Sequence, residues 1–509
     1  MIFLRLLPFL VFGILLQTYY DVTPLLYFSL GLGVSFTVIS FMPFVKTQYK
    51  LRFVSVVGIS LILFSLGIYI MNVSAKNVEW NNVDGVGVYE VQLIDIPIKK
   101  PKTYQCKLKV LKAEQSNHSS INKHIIAYIP IDSISQALNI GDHLLLCSQF
   151  ADAPHYLKTK SVSAVGLVNK QAWHKVKEAS FASLELTLKM LVVKQKLLIK
   201  LRDVIPDSKH YAIASALMFG YKGDLDQESR QAFANIGAGH ILAVSGLHFS
   251  IIFGILYFIL SFIGNSLLKR IIRQLILLPL VWAFALMLGM PPSVIRAASM
   301  FTVVGIGNVF FYKSFSINTL AFVAFFMLFS NPFYLYDVGF QLSFLAVLSI
   351  LIINPYIEKL YKTQNKILGY FWSLISVSFS AQIGVLPLSI YYFNQFPLIF
   401  LITNICIIPL ATVLLIMIPV SLLFHSLFQT SFVSIILNKL LNLFVDVICF
   451  LDNLPFRSID NISISLFDLF LVYILMINIA LIFIKKKIVY VYSSIIIVIF
   501  LLIYYLCSH

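Results

Sequence analysis

The chain has 509 residues, 59% of them hydrophobic and 12% charged, against about 45–50% and about 25% in an average soluble protein. That composition excludes a soluble enzyme and a disordered chain. Lys and Arg outnumber Asp and Glu by 38 to 22, and five cysteines without tight paired spacing exclude both a disulfide-dense scaffold and a zinc module built on close C-x-x-C pairs.

Apolar runs at 6–20, 25–45 and 53–71 open the chain, each suited to crossing a hydrocarbon core about 30 Å thick. The first has no small-residue cleavage site after it and is followed at once by the other two, so it reads as a retained span and not a signal peptide. Ten further candidates lie at 247–263, 274–290, 293–311, 316–330, 337–353, 368–392, 398–424, 432–451, 464–484 and 488–506. The expected fold is a polytopic α-helical membrane protein of about 13 spans. If the spans alternate, Lys46, Lys50 and Arg52, then Lys269, Arg270 and Arg273, then Lys313, then Lys359, Lys362 and Lys366, then Lys485 to Lys487 all fall on one side. The opposite loops carry Asp21, Asn331, Asp452 and Asp460, with Arg457 as their clear basic residue. The positive-inside rule then puts the N-terminus in the cytoplasm and the polar segment 72–209 outside.

That segment holds 19 Lys and Arg against 12 Asp and Glu, a basic excess that fits an anionic partner or membrane lipid. Within it, β-rich runs at 86–96, 104–111, 125–129, 144–147 and 164–168 predict an external five-stranded OB-like β-barrel module. Tyr104, Cys106, Leu108 and Val110 alternate with Gln105, Lys107 and Lys109, the pattern of a half-buried strand. Single strands bind where cations flank aromatic platforms, so Lys99, Lys100, Lys102, Lys107 and Lys109 with Tyr104 are candidate external DNA-binding residues. The same residues also read as a solvated strand and loop. Cys106 and Cys147 both fall in external strands, where an oxidised pair persists, and a disulfide between them is expected, with two free thiols as the alternative. From 181 to 205 Phe181, Leu184, Leu188, Leu191, Leu198, Leu201 and Ile205 recur at helical spacing beside Lys189, Lys196, Lys200 and Arg202, a basic amphipathic helix.

The most informative stretch, 237–248, places two histidines, one serine and three glycines at the edge of an apolar span. Polar groups there are costly in lipid unless they face protein or water. Three chemistries use such residues. A membrane-embedded hydrolase would take Ser245 as nucleophile with His240 or His248 as base, although Ala243 breaks the nucleophile-elbow pattern. A metal site would need a carboxylate such as Asp337 beside both histidines. A conduit would line a water-filled path with small and polar residues. No phosphate-binding loop of the G-x-x-x-x-G-K-[ST] type occurs, so a cytoplasmic motor or single-strand-binding protein would have to supply the energy.

Residues 240–248, H-I-L-A-V-S-G-L-H, resemble the signature of the ComEC family, inner-membrane competence proteins that internalise DNA during natural transformation. Further pieces follow in order: S-V-I-R-A at 293–297, D-V-G-F-Q-L-S-F at 337–344, 382–387 with Tyr391, Tyr392 and Phe393, then Asn404 and Pro409. The likeness covers roughly 1–430. It implies transport of single-stranded DNA across the cytoplasmic (inner) membrane, with an envelope DNA receptor and a separate nuclease as partners. Residue by residue it reaches His240, Ser245, Gly246, His248, Arg296, Asp337, Gln341, Gln382 and Asn404 as the DNA path. Many members also carry a metallo-β-lactamase-like domain. No H-x-H-x-D-H cluster occurs here, so no catalytic residue, metal or cofactor is expected. Within a span, the Arg296 guanidinium must meet phosphate, water or a partner such as Asp337. The expected organisation is N-terminal spans 1–71, OB-like domain 72–177, basic helix 178–209, channel domain 210–430 and terminal spans 431–509. A small-solute membrane transporter is the remaining alternative.

Overall fold

The computed structural model describes residues 2–42, 53–80, 86–114, 121–264, 266–310, 316–428, 432–485 and 487–508. Lys46, Lys50, Arg52, Lys313 and Lys486, used above for orientation, lie outside the described residues, as does the end of the expected span 25–45. The chain separates into two compact units, one of Met1–Leu225, Leu242–Gln341 and Leu414–Lys439, the other of Asp226–Ile241, Leu342–Val413 and Leu440–His509.

The first unit begins with helices α1 (Ile2–Tyr19), α2 (Thr23–Ser40) and α3 (Phe53–Val78). Lipid offers apolar side chains no reason to leave it, so such helices associate through close backbone approach and shared polar groups. A Cβ at Gly13 would lie 2.2 Å from the Phe64 carbonyl oxygen, one at Gly67 2.4 Å from that of Leu10. Ser29 Oγ and Ser65 Oγ are 2.8 Å apart across α2 and α3.

The polar segment after α3 forms strands β1 (Gly87–Leu93), β2 (Ile98–Lys99), β3 (Thr103–Glu114), β4 (His124–Pro130), β5 (His143–Ser148), β6 (Ala151–Asp152), β7 (Ala164–Leu167) and β8 (Trp173–Lys177). Their order is β6-β7-β4-β3-β1-β5-β8, with β2 on β3; β4 and β7 pair in parallel, the other ladders antiparallel. Alternation holds as expected: Cys106, Leu108 and Val110 are fully buried beside Val91, Leu93, Ile125 and Leu144. The closed five-stranded barrel is corrected to an eight-stranded sheet whose path stays open. The opening has a local cause. After β5 the chain turns Phe150 into the core, edge-on to Tyr89 at 5.3 Å and packed against Gly166, which breaks the ladder before β6 resumes on β7.

The expected disulfide is also corrected. Cys106 and Cys147 are both free thiols, Cys106 inside the core and Cys147 exposed. Both cysteines lie in strands, but strand periodicity sends their side chains to opposite faces, so they cannot meet. Burial pushes the Cys106 thiol up to about 12.

A turn at Phe181–Ser183 leads into α4 (Leu186–Val204), then α5 (Ser208–Phe219) and, in the second unit, α6 (Gln227–Asn235). Four apolar helices of the first unit follow: α7 (Gly246–Ser261), α8 (Leu267–Met287), α9 (Pro292–Val309) and α10 (Ile317–Ser330). Their core is aromatic: Phe253 stacks on Phe301 at 4.2 Å and Phe249 meets Phe284 at 5.5 Å.

The remaining helices are α11 (Val338–Ile357), α12 (Lys366–Phe393), α13 (Phe400–Phe428), α14 (Phe432–Asp452), α15 (Leu466–Lys485) and α16 (Ile488–Ser508), with the short pair β9 (Gln395–Pro397) and β10 (Ser458–Asp460). In the second unit α12 presents Ser376, Ser380 and Gly384 at a spacing of four, a small-residue ridge. A Cβ at Gly384 would meet Ser349 Cβ at 2.4 Å, and Ser349 Oγ donates to the Ser380 carbonyl at 2.6 Å. Each expected span, as far as it is described, falls on a helix. Eight helices among the described residues are long and apolar enough to cross a membrane; Gly246–Ser261, Ile317–Ser330, Leu466–Ile482 and Ile488–Ile499 are shorter apolar helices. The chain is a mostly helical, multi-pass membrane protein with a separate β-sheet region.

Candidate functional site

The 237–248 motif is divided between the units at Ile241 and Leu242. In the first unit Ser245 is extended and caps α7. His248 Nδ1 accepts the Ser245 N–H at 3.2 Å, so it is unprotonated, and the Ser245 hydroxyl 2.9 Å away must donate to it. The hydroxyl oxygen in turn accepts from the Leu247 N–H at 3.2 Å. These are the bonds of a helix start, and His248 is 1% exposed. The serine and histidine of the hydrolase reading are thus engaged in capping.

Against this cap lies Arg296 on α9, 6% exposed. A Cβ at Gly246 would come 3.0 Å from its Nη2, so glycine lets the guanidinium lie against the first turn of α7. Ser293 Oγ, one turn earlier on α9, donates to the Val244 carbonyl at 2.9 Å. Ser245, Gly246, His248 and Arg296 therefore share one corner of the first unit. Asp337 does not pair with Arg296: its Oδ1 accepts the Phe340 N–H at 2.8 Å and caps α11. Gln341 Nε2 donates to the Leu335 carbonyl at 2.7 Å.

His240, Gln382 and Asn404 belong to the second unit. His240 is exposed, and its Nδ1 donates to the Gly237 carbonyl at 3.0 Å. Gly237 itself has φ +76°, a turn conformation that L side chains rarely adopt, with Pro397 packed against it. Gln382 is half-buried on α12. On α13, Asn404 Oδ1 and Thr403 Oγ1 are buried without hydrogen-bond partners among the described residues. A polar knot ties α6 to the loops of this unit: Asn235 donates to Asp452 Oδ1 at 2.9 Å and accepts from Gln395 at 3.3 Å, while Arg457 pairs with Asp452 at 3.3 Å. Among the described residues no three His, Cys, Asp or Glu side chains are grouped to hold a metal.

Sequence reasoning used Arg270 and Arg273 as loop charges for orientation. The structure puts them inside. Arg270, Arg273 and Gln274 are 8%, 3% and 5% exposed, while Leu268, Ile272, Leu275 and Ile276 on the same helix are outward-facing. Arg270 Nη1 donates to the Asn308 carbonyl in the last turn of α9 at 3.0 Å, and the Arg273 guanidinium lies 4.6 Å from the Tyr257 ring centroid. The signal was present in the spacing, since 270, 273, 274, 277 and 281 form one helical stripe.

On the β module, Lys99, Lys100 and Lys102 are exposed where β2 turns into β3, with Tyr104 half-buried opposite Lys99. Lys107 and Lys109 project from the other face of β3, and His124 pairs in register with Lys109. Burial lowers the Lys107 ammonium, Asp95 opposes this and Lys160 adds to it. Burial, then the charges of Lys107 and Lys109, hold His124 down at about 4. Lys109 has a partner, Glu185, at 3.7 Å.

The family described as Competence protein matches residues 217–486. The chain belongs to this competence protein family. The matched segment includes the capped start of α7, the three buried arginines and every candidate path residue, and it excludes the β module. ComE operon protein 3 of Bacillus subtilis is 34% identical over 252 residues, 48% of this chain and 31% of that protein. Recombination protein 2 of Haemophilus influenzae is 25% identical over 301 residues, 57% of this chain and 35% of that one. An uncharacterized protein of Aquifex aeolicus is 32% identical over 163 residues, 32% of this chain and 38% of that one. The aligned stretches thus span about a third of the length of these three relatives. No solved structure matches.

Proposed function

We propose that the chain takes part in DNA uptake as a conduit, passing one strand of DNA across the cytoplasmic membrane during natural transformation. One observation carries the reading. Residues 229–336 contain no Asp or Glu, yet within this family-matched stretch Arg296 is buried against the backbone of Gly246. A buried guanidinium in so acid-poor a segment suits a polyanionic cargo with one charge per nucleotide. His240, Ser245, Gly246, His248, Arg296, Asp337, Gln341, Gln382 and Asn404 form the path in this reading, Ser245, His248 and Asp337 as the caps that hold its helix starts. Residues 72–209 face outward and the N-terminus inward. The module is OB-like, a likeness supported by the parallel pairing of β4 with β7 and by β6 following β5 after two residues. Its lysines receive the strand, and 178–209 link it to the conduit at 210–430. A receptor, a nuclease and a cytoplasmic motor act with it.

The test is uptake of fluorescent double-stranded DNA in cells deleted for this gene, scored separately in envelope and cytoplasm. Signal held in the envelope and absent from the cytoplasm is expected. Unchanged cytoplasmic entry overturns the reading.

A further inference from the structure

The conduit reading gives one cation a place in the membrane, Arg296 of α9 against the start of α7. Three observations single out a second. Arg273 is 3% exposed, its Nε has no hydrogen-bond partner among the described residues, and no carboxylate pairs with it there. Its contact is the face of Tyr257, 4.6 Å from the guanidinium carbon. The next residue, Gln274, is 5% exposed, and its Oε1 also lacks a partner where α8 crosses Gly305 at close range. A long arginine near a helix end normally reaches for water. Here aliphatic neighbours take the outward face and the charge turns inward.

We propose that Arg273 is a second phosphate-binding residue of the path, which takes a phosphodiester of the translocating strand at the end of α8 remote from its Met287 terminus, with the Tyr257 ring as its cover when no strand is present. The inference rests on the conduit reading and deepens it. An aromatic face is a weak, non-directional partner for a guanidinium. A phosphate offers a charged, bidentate one in its place. Gln274, one residue on, gives the strand a neutral amide that can donate to a phosphate or sugar oxygen. Arg296 and Arg273 lie on neighbouring helices α9 and α8, so the strand would meet one cation after another and not a single deep trap.

The experiment uses the full chain in lipid nanodiscs and a labelled single-stranded oligonucleotide, with affinity measured across a salt series. Arg273→Gln is expected to bind about tenfold more weakly at low salt, and its slope of log affinity against log salt should fall by about 0.7, the value of one single-strand phosphate contact. Arg273→Lys should restore the slope. Should Arg273→Gln fail to insert, Tyr257→Ala carries the same test: uncovering the guanidinium should tighten binding several-fold. Unchanged slope in Arg273→Gln, or unchanged affinity in Tyr257→Ala, overturns the proposal. So does loss of co-purifying anionic phospholipid from Arg273→Gln with oligonucleotide binding intact, which would assign the charge to a lipid headgroup. A wild-type chain that binds no oligonucleotide refutes the conduit reading itself, a result separate from any of these.

Discussion

On the β module Lys99, Lys100 and Lys102 project into solvent from a hairpin, whereas on α8 and α9 Arg270, Arg273 and Arg296 are 8%, 3% and 6% exposed. Both sets contribute to the same formal charge of +16, but the physics differs. An exposed lysine keeps its hydration, is screened within about 10 Å at ordinary salt and costs the fold almost nothing. A buried guanidinium loses its hydration and must be offset by backbone, aromatic face or ligand. A net charge therefore says little about function until each cation has been located. The proposed path is built on the buried set.

The sharpest way to break that contrast is to reverse a buried charge. Arg296→Glu should lower transformation roughly 100-fold or more while the protein still reaches the membrane at normal abundance, since the corner around Gly246 would then repel phosphate. Arg296→Lys should recover part of the activity, because it restores charge without the planar fork. Transformation counts beside a membrane immunoblot decide it, and a normal count in Arg296→Glu removes the residue from the path. Gly246→Ala probes the same corner more gently. Its methyl would press on the guanidinium at 3.0 Å, and it should lower transformation less than Arg296→Glu does.

Much of this was legible in the sequence, and the gaps have physical causes. Each expected span, as far as it is described, lies on a helix, because a long apolar run in lipid leaves the backbone no other way to satisfy itself. Strand alternation placed Cys106, Leu108 and Val110 in the core correctly. The same periodicity, extended to Cys147, would have separated the two cysteines, since residues of opposite phase cannot face each other. Sheet closure was not legible, because it depends on a single inward turn at Phe150. Nor was the burial of Arg273: a charge at a helix end looks like a loop charge until the neighbouring helix supplies the Tyr257 ring against it. Asp337 was a reasonable partner for Arg296 by type, but a carboxylate three residues before a first-turn N–H has a nearer use as a cap.

An intermediate case lies on the module, where His124 is desolvated beside Lys107 and Lys109. Its folded pKa of about 4 lies below the ordinary value of 6.5. As pH falls between those values the unfolded chain binds a proton that the folded module refuses, so stability is full above about 6.5 and declines toward 4. The loss amounts to no more than about 3 kcal/mol. Hydrogen exchange of β3 and β4 amides in the full chain should accelerate over this window, and His124→Asn should flatten the dependence. A dependence unchanged by His124→Asn would assign it to the carboxylates instead, whose proton uptake lies lower.

The smallest effect is expected where the charge is most conspicuous. Replacing Lys99, Lys100 and Lys102 together by Gln removes three positive charges from one hairpin, but each is hydrated and free to move, so each contact it makes with a phosphate is weak and salt-screened. The salt slope of oligonucleotide binding should drop by at most about 2, the sum of three single-strand contacts, and cytoplasmic uptake should fall about fivefold or less. Folding should be untouched, because none of the three is buried. A loss as deep as that of Arg296→Glu would erase the contrast between exposed and buried cations and move the decisive recognition step from the membrane helices to the module, where the strand would then have to be gripped before it could enter.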